Sequence, residues 1–177
     1  GLALSPADGA SRLNGPGIHT RNGDVIELHF EWTSGARGTV QFGFAGGMES
    51  AIAAIDFKSG RAVLNTSDWS TPQPVDRQTV PITRGRSHSI RISKSEGSGD
   101  LVKKANISVE LNGKVVLTAT DADVLPELGI SISAAGAPLQ LKHFLHRGKP
   151  SGIPEYLHVG GWQVLNEPDI VVAGVDT

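Results

Sequence analysis

The sequence predicts an all-β fold of antiparallel layers, and three observations carry that prediction. Apolar residues recur at every second position in one segment after another. Turns containing Gly, Asn or Pro separate those segments at short intervals. The 22 glycines and 10 prolines are many for a helical chain of 177 residues and suit short strands joined by turns. About nine or ten strands are expected, spaced as a sandwich or barrel needs.

The clearest segment is 23–44, GDVIELHFEWTSGARGTVQFGF. Ile26, Leu28, Phe30 and Trp32 alternate with Glu27, His29 and Glu31, and Val40, Phe42 and Phe44 alternate with Thr39, Gln41 and Gly43. A period of two sends each set to its own face of a sheet. With residues 33–38 as the connection, the two strands read as an antiparallel hairpin with one buried and one polar face.

Residues 1–22 are polar and glycine-rich and are expected to wrap an edge, with one short strand near His19. Residues 50–57 and 61–64 read as strands around the Lys58-Ser59-Gly60 turn, although the alanines of the first would also suit a helix. Residues 65–77 read as a loop around Asp68-Trp69-Ser70, and 79–82 as a short strand. After the Thr83-Arg84-Gly85-Arg86 turn comes a strand over 88–93, then a charged turn over 94–100. Residues 106–111 and 114–120 flank Asn112-Gly113, the strongest hairpin signal in the chain. A loop over 121–127 and strands over 129–134 and 139–145 complete the series. The expected organisation is a sandwich domain over 1–147, then a linker and C-terminal tail over 148–177. Residues 170–173 in that tail read as a strand, either returning to the sheet edge or preceding another domain.

The bulk properties exclude several functions. With no cysteine there is no disulfide, thiolate metal site or cysteine nucleophile. A net charge of −2 with mixed signs gives no electrostatic case for nucleic acid or an anionic membrane. No apolar run reaches the roughly 20 residues of a membrane helix. The chain starts without Met, which reads as a processed form or a piece with residues removed upstream.

Three segments in order resemble the concanavalin A-like lectin/glucanase superfamily, including its laminin-G-like and pentraxin-like members. These are IELHFEW followed by GTVQFGF, the turn-histidine-strand TRGRSHSIRIS, and the strand-turn-strand ISVELNGKVV. The resemblance spans about residues 20–146. Ser87 stands where the family has an aromatic residue, and Asn112 where Asp is common. The resemblance implies a jelly roll, two curved antiparallel sheets packed face to face. It also implies that the histidine, His88, is structural, and that no cofactor is required, although a Ca2+ site is common in the laminin-G-like branch.

The residues that bear chemistry are few. Glu27, His29 and Glu31 share a strand face, which suggests an acid/base pair or a metal site. At about 3.3 Å per residue the two carboxylates stand roughly 13 Å apart. A retaining glycosidase needs about 5–5.5 Å and an inverting one about 6.5–9.5 Å. A solvated face of paired charges is therefore the stronger reading, and the glucanase Glu-x-Asp-x-x-Glu run does not occur. Asp121 and Asp123, and more weakly Asp56 and Asp68, are candidate Ca2+ ligands, but no loop has an Asp-x-Asp-x-Asp run and a plain helix-cap or turn role is the stronger reading. Trp69, with Asp68 and Asn65, suits a sugar platform, because aromatic faces stack on sugar C–H faces while polar side chains bind hydroxyls. A loop anchor over the core weighs equally for Trp69. Trp32 reads as core, and Trp162 as core or interface. His143 and His146 are expected on opposite faces.

These readings favour a non-catalytic carbohydrate-binding or accessory module of a larger bacterial hydrolase, located outside the cell or in the periplasm. Its partner would be a carbohydrate, an adjacent domain or a second subunit. The alternatives are a glycoside hydrolase using Glu27 and Glu31, and a structural or homo-oligomerising domain.

Overall fold

The computed structural model describes residues 2–4, 10–20, 22–35, 37–46, 49–67, 71–98, 104–124, 128–147 and 163–165; for 2–20 and 163–165 it describes the backbone alone. The strands are β1 Leu2–Leu4, β2 Ala10–Thr20, β3 Val25–Trp32, β4 Thr39–Gly46, β5 Glu49–Asp56, β6 Arg61–Ser67 and β7 Gln73–Thr79. They continue with β8 Ser87–Glu96, β9 Lys104–Leu111, β10 Lys114–Asp123, β11 Leu128–Ala135, β12 Leu139–Arg147 and β13 Gln163–Leu165. No helix occurs among the described residues.

The strands form a six-stranded sheet, β1-β12-β3-β8-β9-β10, and a seven-stranded sheet, β13-β2-β11-β4-β5-β6-β7. Pairing is antiparallel throughout, and the sandwich is a jelly roll. Alternation decides what lies between the layers. Ile26, Leu28 and Phe30 of β3, and Val40, Phe42 and Phe44 of β4, are fully buried. Ile90 and Ile92 of β8 and Ile55 and Leu64 of β5 and β6 join them. Rings cross the gap between layers: Phe57 stacks 5.1 Å from Trp32, and Phe42 meets Phe144 edge-on at 6.4 Å.

The alternation of β3 and β4 was read correctly from sequence, but their partnership was not. They do not pair with each other. β3 lies between β12 and β8, β4 lies between β11 and β5, and residues 33–38 cross from one sheet to the other. The crossing is tight. Trp32 Nε1 donates to the Ser34 carbonyl at 2.6 Å, and a Cβ on Gly38 would sit 2.5 Å from that of Ala137.

Other segments also depart from the sequence reading. The first 20 residues contribute two strands, β1 at the edge of the six-stranded sheet and the longer β2 between β13 and β11 in the seven-stranded one. The segment 65–77, expected as a loop, supplies the end of β6 and most of β7, with Pro74 tolerated because β7 is an edge strand. Residues 80–82 form no strand; Val80 is a buried anchor whose N–H donates to the Gly60 carbonyl. Lys94, expected in a charged turn, continues β8 and is buried, its ammonium 5.0 Å from the Phe44 ring centre. Asp121 and Asp123 lie in β10, beside a bulge at which Asp121 takes φ 51°. Residues 170–173 lie outside the described residues; within 148–177, β13 pairs with β2.

Candidate ligand-binding face

Asn65 is the one predicted ligand residue with described surroundings; Asp68 and Trp69, which follow β6 directly in the chain, lie outside the described residues. Asn65 sits on the outer face of the seven-stranded sheet, opposite Ile52 of β5 and Pro74 of β7. Its neighbours on that face follow from the register. Gln41, Ala54, Val63 and Arg77 form the next row across β4 to β7. The extra residue Val75 shifts the β6–β7 register beside Asn65 and is itself exposed.

The half-buried surfaces of Ile52, Ala54 and Val63 make a shallow apolar platform. Polar groups frame it. The Asn65 amide has no hydrogen-bond partner among the described residues, nor does the Arg77 guanidinium have an ion-pair partner there. Gln41 Oε1 accepts from Ser133 Oγ at 3.2 Å. Toward the middle of the sheet, Gly43 and Ser131 are closed to solvent, so the accessible part is the β5–β7 side. The Asn65 amide offers both a donor and an acceptor, and the platform beside it is apolar. That combination fits a ligand with hydroxyls and an aliphatic face.

The opposite, outer face of the six-stranded sheet carries the charges read from sequence. Glu27 Oε1 lies 2.6 Å from His29 Nε2, Lys142 Nζ lies 3.1 Å from Glu31, and Arg91 lies 3.8 Å from Glu110. Each carboxylate of the supposed catalytic pair is thus engaged by its own neighbour. The candidate Ca2+ ligands are engaged too. Asp121 accepts from the Ser98 N–H and hydroxyl, both at 2.5 Å, and Asp123 pairs with Lys104 at 2.6 Å. The two Ser98 bonds, side chain first, hold the Asp121 carboxyl below its ordinary 3.8. Two Ser59 bonds do the same for Asp56 at the β5–β6 turn. Among the described residues no group of three or more His, Cys, Asp or Glu side chains is arranged to hold a metal.

His88 is structural. Asn112 Oδ1 accepts from the Ser89 N–H, so the Asn112 NH2 faces His88 Nδ1 at 3.1 Å and donates to it. Nε2 faces the Thr83 backbone, 3.0 Å from its carbonyl oxygen and 3.1 Å from its N–H. His143 is exposed on the outer face, while His146 turns to the buried Asp24 at 3.0 Å, so the two do point apart. Trp32 is core at 8% exposure. Trp162 and His158 lie outside the described residues. The Asn65 platform carries only a weak sequence signal: Ile52, Ala54 and Val63 alternate with buried residues, but nothing local tells that β7 follows β5 and β6 as the next strand of the same sheet.

No protein-family model and no curated protein matches the sequence. Solved structures do match in three dimensions. The carbohydrate-binding module CBM66 from Bacillus subtilis is similar at a TM-score of 0.64 and 15% identity, over 80% of this chain and 84% of that one. A homodimeric agglutinin from chicken liver, CG-16, is similar at 0.58 and 13% identity, over 77% and 99%. A toad ovary galectin solved with thio-digalactose is similar at 0.57 and 14% identity, over 80% and 100%. At these identities the likeness is one of fold alone: the chain shares with these structures the two-sheet antiparallel jelly-roll sandwich.

Proposed function

We propose that the chain is a non-catalytic carbohydrate-binding module, with the β5–β7 side of the seven-stranded sheet and the adjoining 68–70 segment as its platform. The observation that carries the reading is the Asn65 amide, without a hydrogen-bond partner among the described residues, beside the apolar Ile52 and Val63 on an accessible sheet face. The fold neighbours support it, since one is named a carbohydrate-binding module and another was solved with thio-digalactose. The order of motifs over 20–146 supports the laminin-G-like or pentraxin-like branch as the finer assignment, and work beside a bacterial hydrolase outside the cytoplasm as the setting. Hydrolysis through Glu27 and Glu31 gains no support, because His29 and Lys142 already engage them.

The test is binding to a glycan array and to insoluble polysaccharides by the whole chain, repeated with Asn65→Ala and Trp69→Ala. Binding that is weakened in both variants supports the platform. Binding to no glycan, or binding indifferent to both changes, sinks it.

A further inference from the structure

The charged face of the six-stranded sheet, away from the proposed platform, sets two histidines side by side. We propose that His29 and His143 form a two-nitrogen chelate for a divalent transition ion of the zinc or copper kind. The two are direct register partners on β3 and β12, and a bulge after Leu141 brings His143, rather than Lys142, opposite His29. Directly opposed residues on one face of an antiparallel pair hold their Cβ atoms about 4.5–5.5 Å apart, so both rings rise from neighbouring points. The ring centroids are 5.6 Å apart at 78°. Two imidazoles bound to one ion through bonds of about 2.0–2.1 Å span about 5–6 Å between ring centres when the bonds open to a tetrahedral angle or wider.

The surroundings suit an ion. Glu27 Oε1 sits 2.6 Å from His29 Nε2, and a carboxylate on one ring nitrogen is how metal-binding histidines are oriented, the other nitrogen being left to the metal. The His143 ring has no hydrogen-bond partner among the described residues and is exposed. The nearest cations are turned to other groups: Lys142 Nζ lies 3.1 Å from Glu31 and 2.5 Å from Gln140 Oε1, and Arg91 faces Glu110. With two protein nitrogens, the remaining positions fall to water. Imidazole ligation selects zinc, copper or nickel over calcium and magnesium.

The test is titration of the whole chain, free of any affinity tag, with Zn2+ and with Cu2+ at neutral pH, followed by calorimetry. One ion per chain is expected. His29→Ala and His143→Ala should each weaken binding at least tenfold, Glu27→Gln severalfold, and His146→Ala not at all. With Cu2+, electron paramagnetic resonance should show two coordinated nitrogens. No binding by the unaltered chain overturns the proposal. So does unchanged affinity in the His29→Ala/His143→Ala double variant, which would put the ion elsewhere. Glycan binding, read in parallel, is expected to be the same with and without either ion, because the two faces are on opposite sides of the sandwich.

Discussion

Asn65 and Asp121 show what single side chains contribute to this molecule. If the Asn65 amide contacts a ligand, Asn65→Ala removes about one neutral hydrogen bond, worth about 0.5–1.5 kcal/mol, or a few-fold to tenfold in affinity. Its effect on folding should stay within about 0.5 kcal/mol, since no partner inside the described protein is lost. Calorimetric affinity and the thermal midpoint, measured on the same samples, check both halves of that expectation. Asp121, by contrast, has partners within the protein. Its carboxyl is held below the ordinary 3.8 by the Ser98 bonds. The folded state therefore binds this proton less readily than the unfolded state, so the stabilisation is present above about pH 4 and is lost as the pH falls through the depressed value. Urea midpoints measured between pH 5 and pH 2.5 should converge for the unaltered chain and Ser98→Ala at the acid end and separate at the upper end. At this scale the sequence was a partial guide. Trp32 and the paired Glu27 and Glu31 could be read from their alternation and neighbours, and His88 from the family resemblance. Lys94 could not, because its four-carbon stem is long enough to lie in the core, and a charged residue in a polar run gives no local sign of that.

The β9–β10 hairpin is the element where sequence and structure agree most closely. Asn112 and Gly113 take φ of 52° and 79°, the pair of left-handed residues that a type I′ turn requires. Gly113 has open space where a Cβ would go, so Gly113→Ala should cost only the conformational term, about 1–2 kcal/mol. Asn112→Ala should cost more, because it also removes the acceptor for the Ser89 N–H and the donor to His88, adding about 1–3 kcal/mol for the polar groups left unpaired. Urea denaturation of the two variants gives the order directly, and Gly113→Ala emerging as the worse of the two would mean that Asn112 does not tie the hairpin to β8. The turn was legible because its demand is local: two adjacent residues must reach φ > 0. The pairing of β3 and β4 was not legible for the complementary reason. A strand's alternation reports which side faces apolar surroundings, and it is the same whether the next strand is a neighbour in its own sheet or lies across the core. Residues 33–38 are long enough for either route, and the choice is made by β8, β12, β5 and β11, which are remote in the chain.

The whole molecule depends on the two sheets acting as one cooperative unit, and two contacts joining them make that testable. Phe57, in the turn after β5, stacks on Trp32 and lies 6.2 Å from Phe30, both in the other sheet. At the sandwich edge, Asp76 Oδ2 of β7 accepts from the Thr118 N–H of β10 at 2.8 Å, joining the edge strands of the two layers. The first contact is apolar burial, and its loss in Phe57→Ala should cost about 3–5 kcal/mol. The second is a charge-assisted bond to an edge-strand donor, and its loss in Asp76→Ala should cost about 1–3 kcal/mol. The two sites share no partner among the residues named here, so the double variant should lose the sum of the single losses to within about 0.5 kcal/mol. That sum is expected only if both sheets unfold together. In that case far-ultraviolet circular dichroism, which follows the strands, and the fluorescence of Trp32 between the layers, read in a Trp69→Phe/Trp162→Phe background, trace one transition. If instead the edge formed by β6, β7 and β10 opened by itself, Asp76→Ala would lower the dichroism midpoint while leaving the fluorescence midpoint in place, and the additive relation would fail. The interdigitated core argues for the single transition. Phe42 and Phe44 of one sheet and Ile26, Leu28 and Phe30 of the other are all without solvent contact, so neither sheet can open without exposing the inner face of its partner.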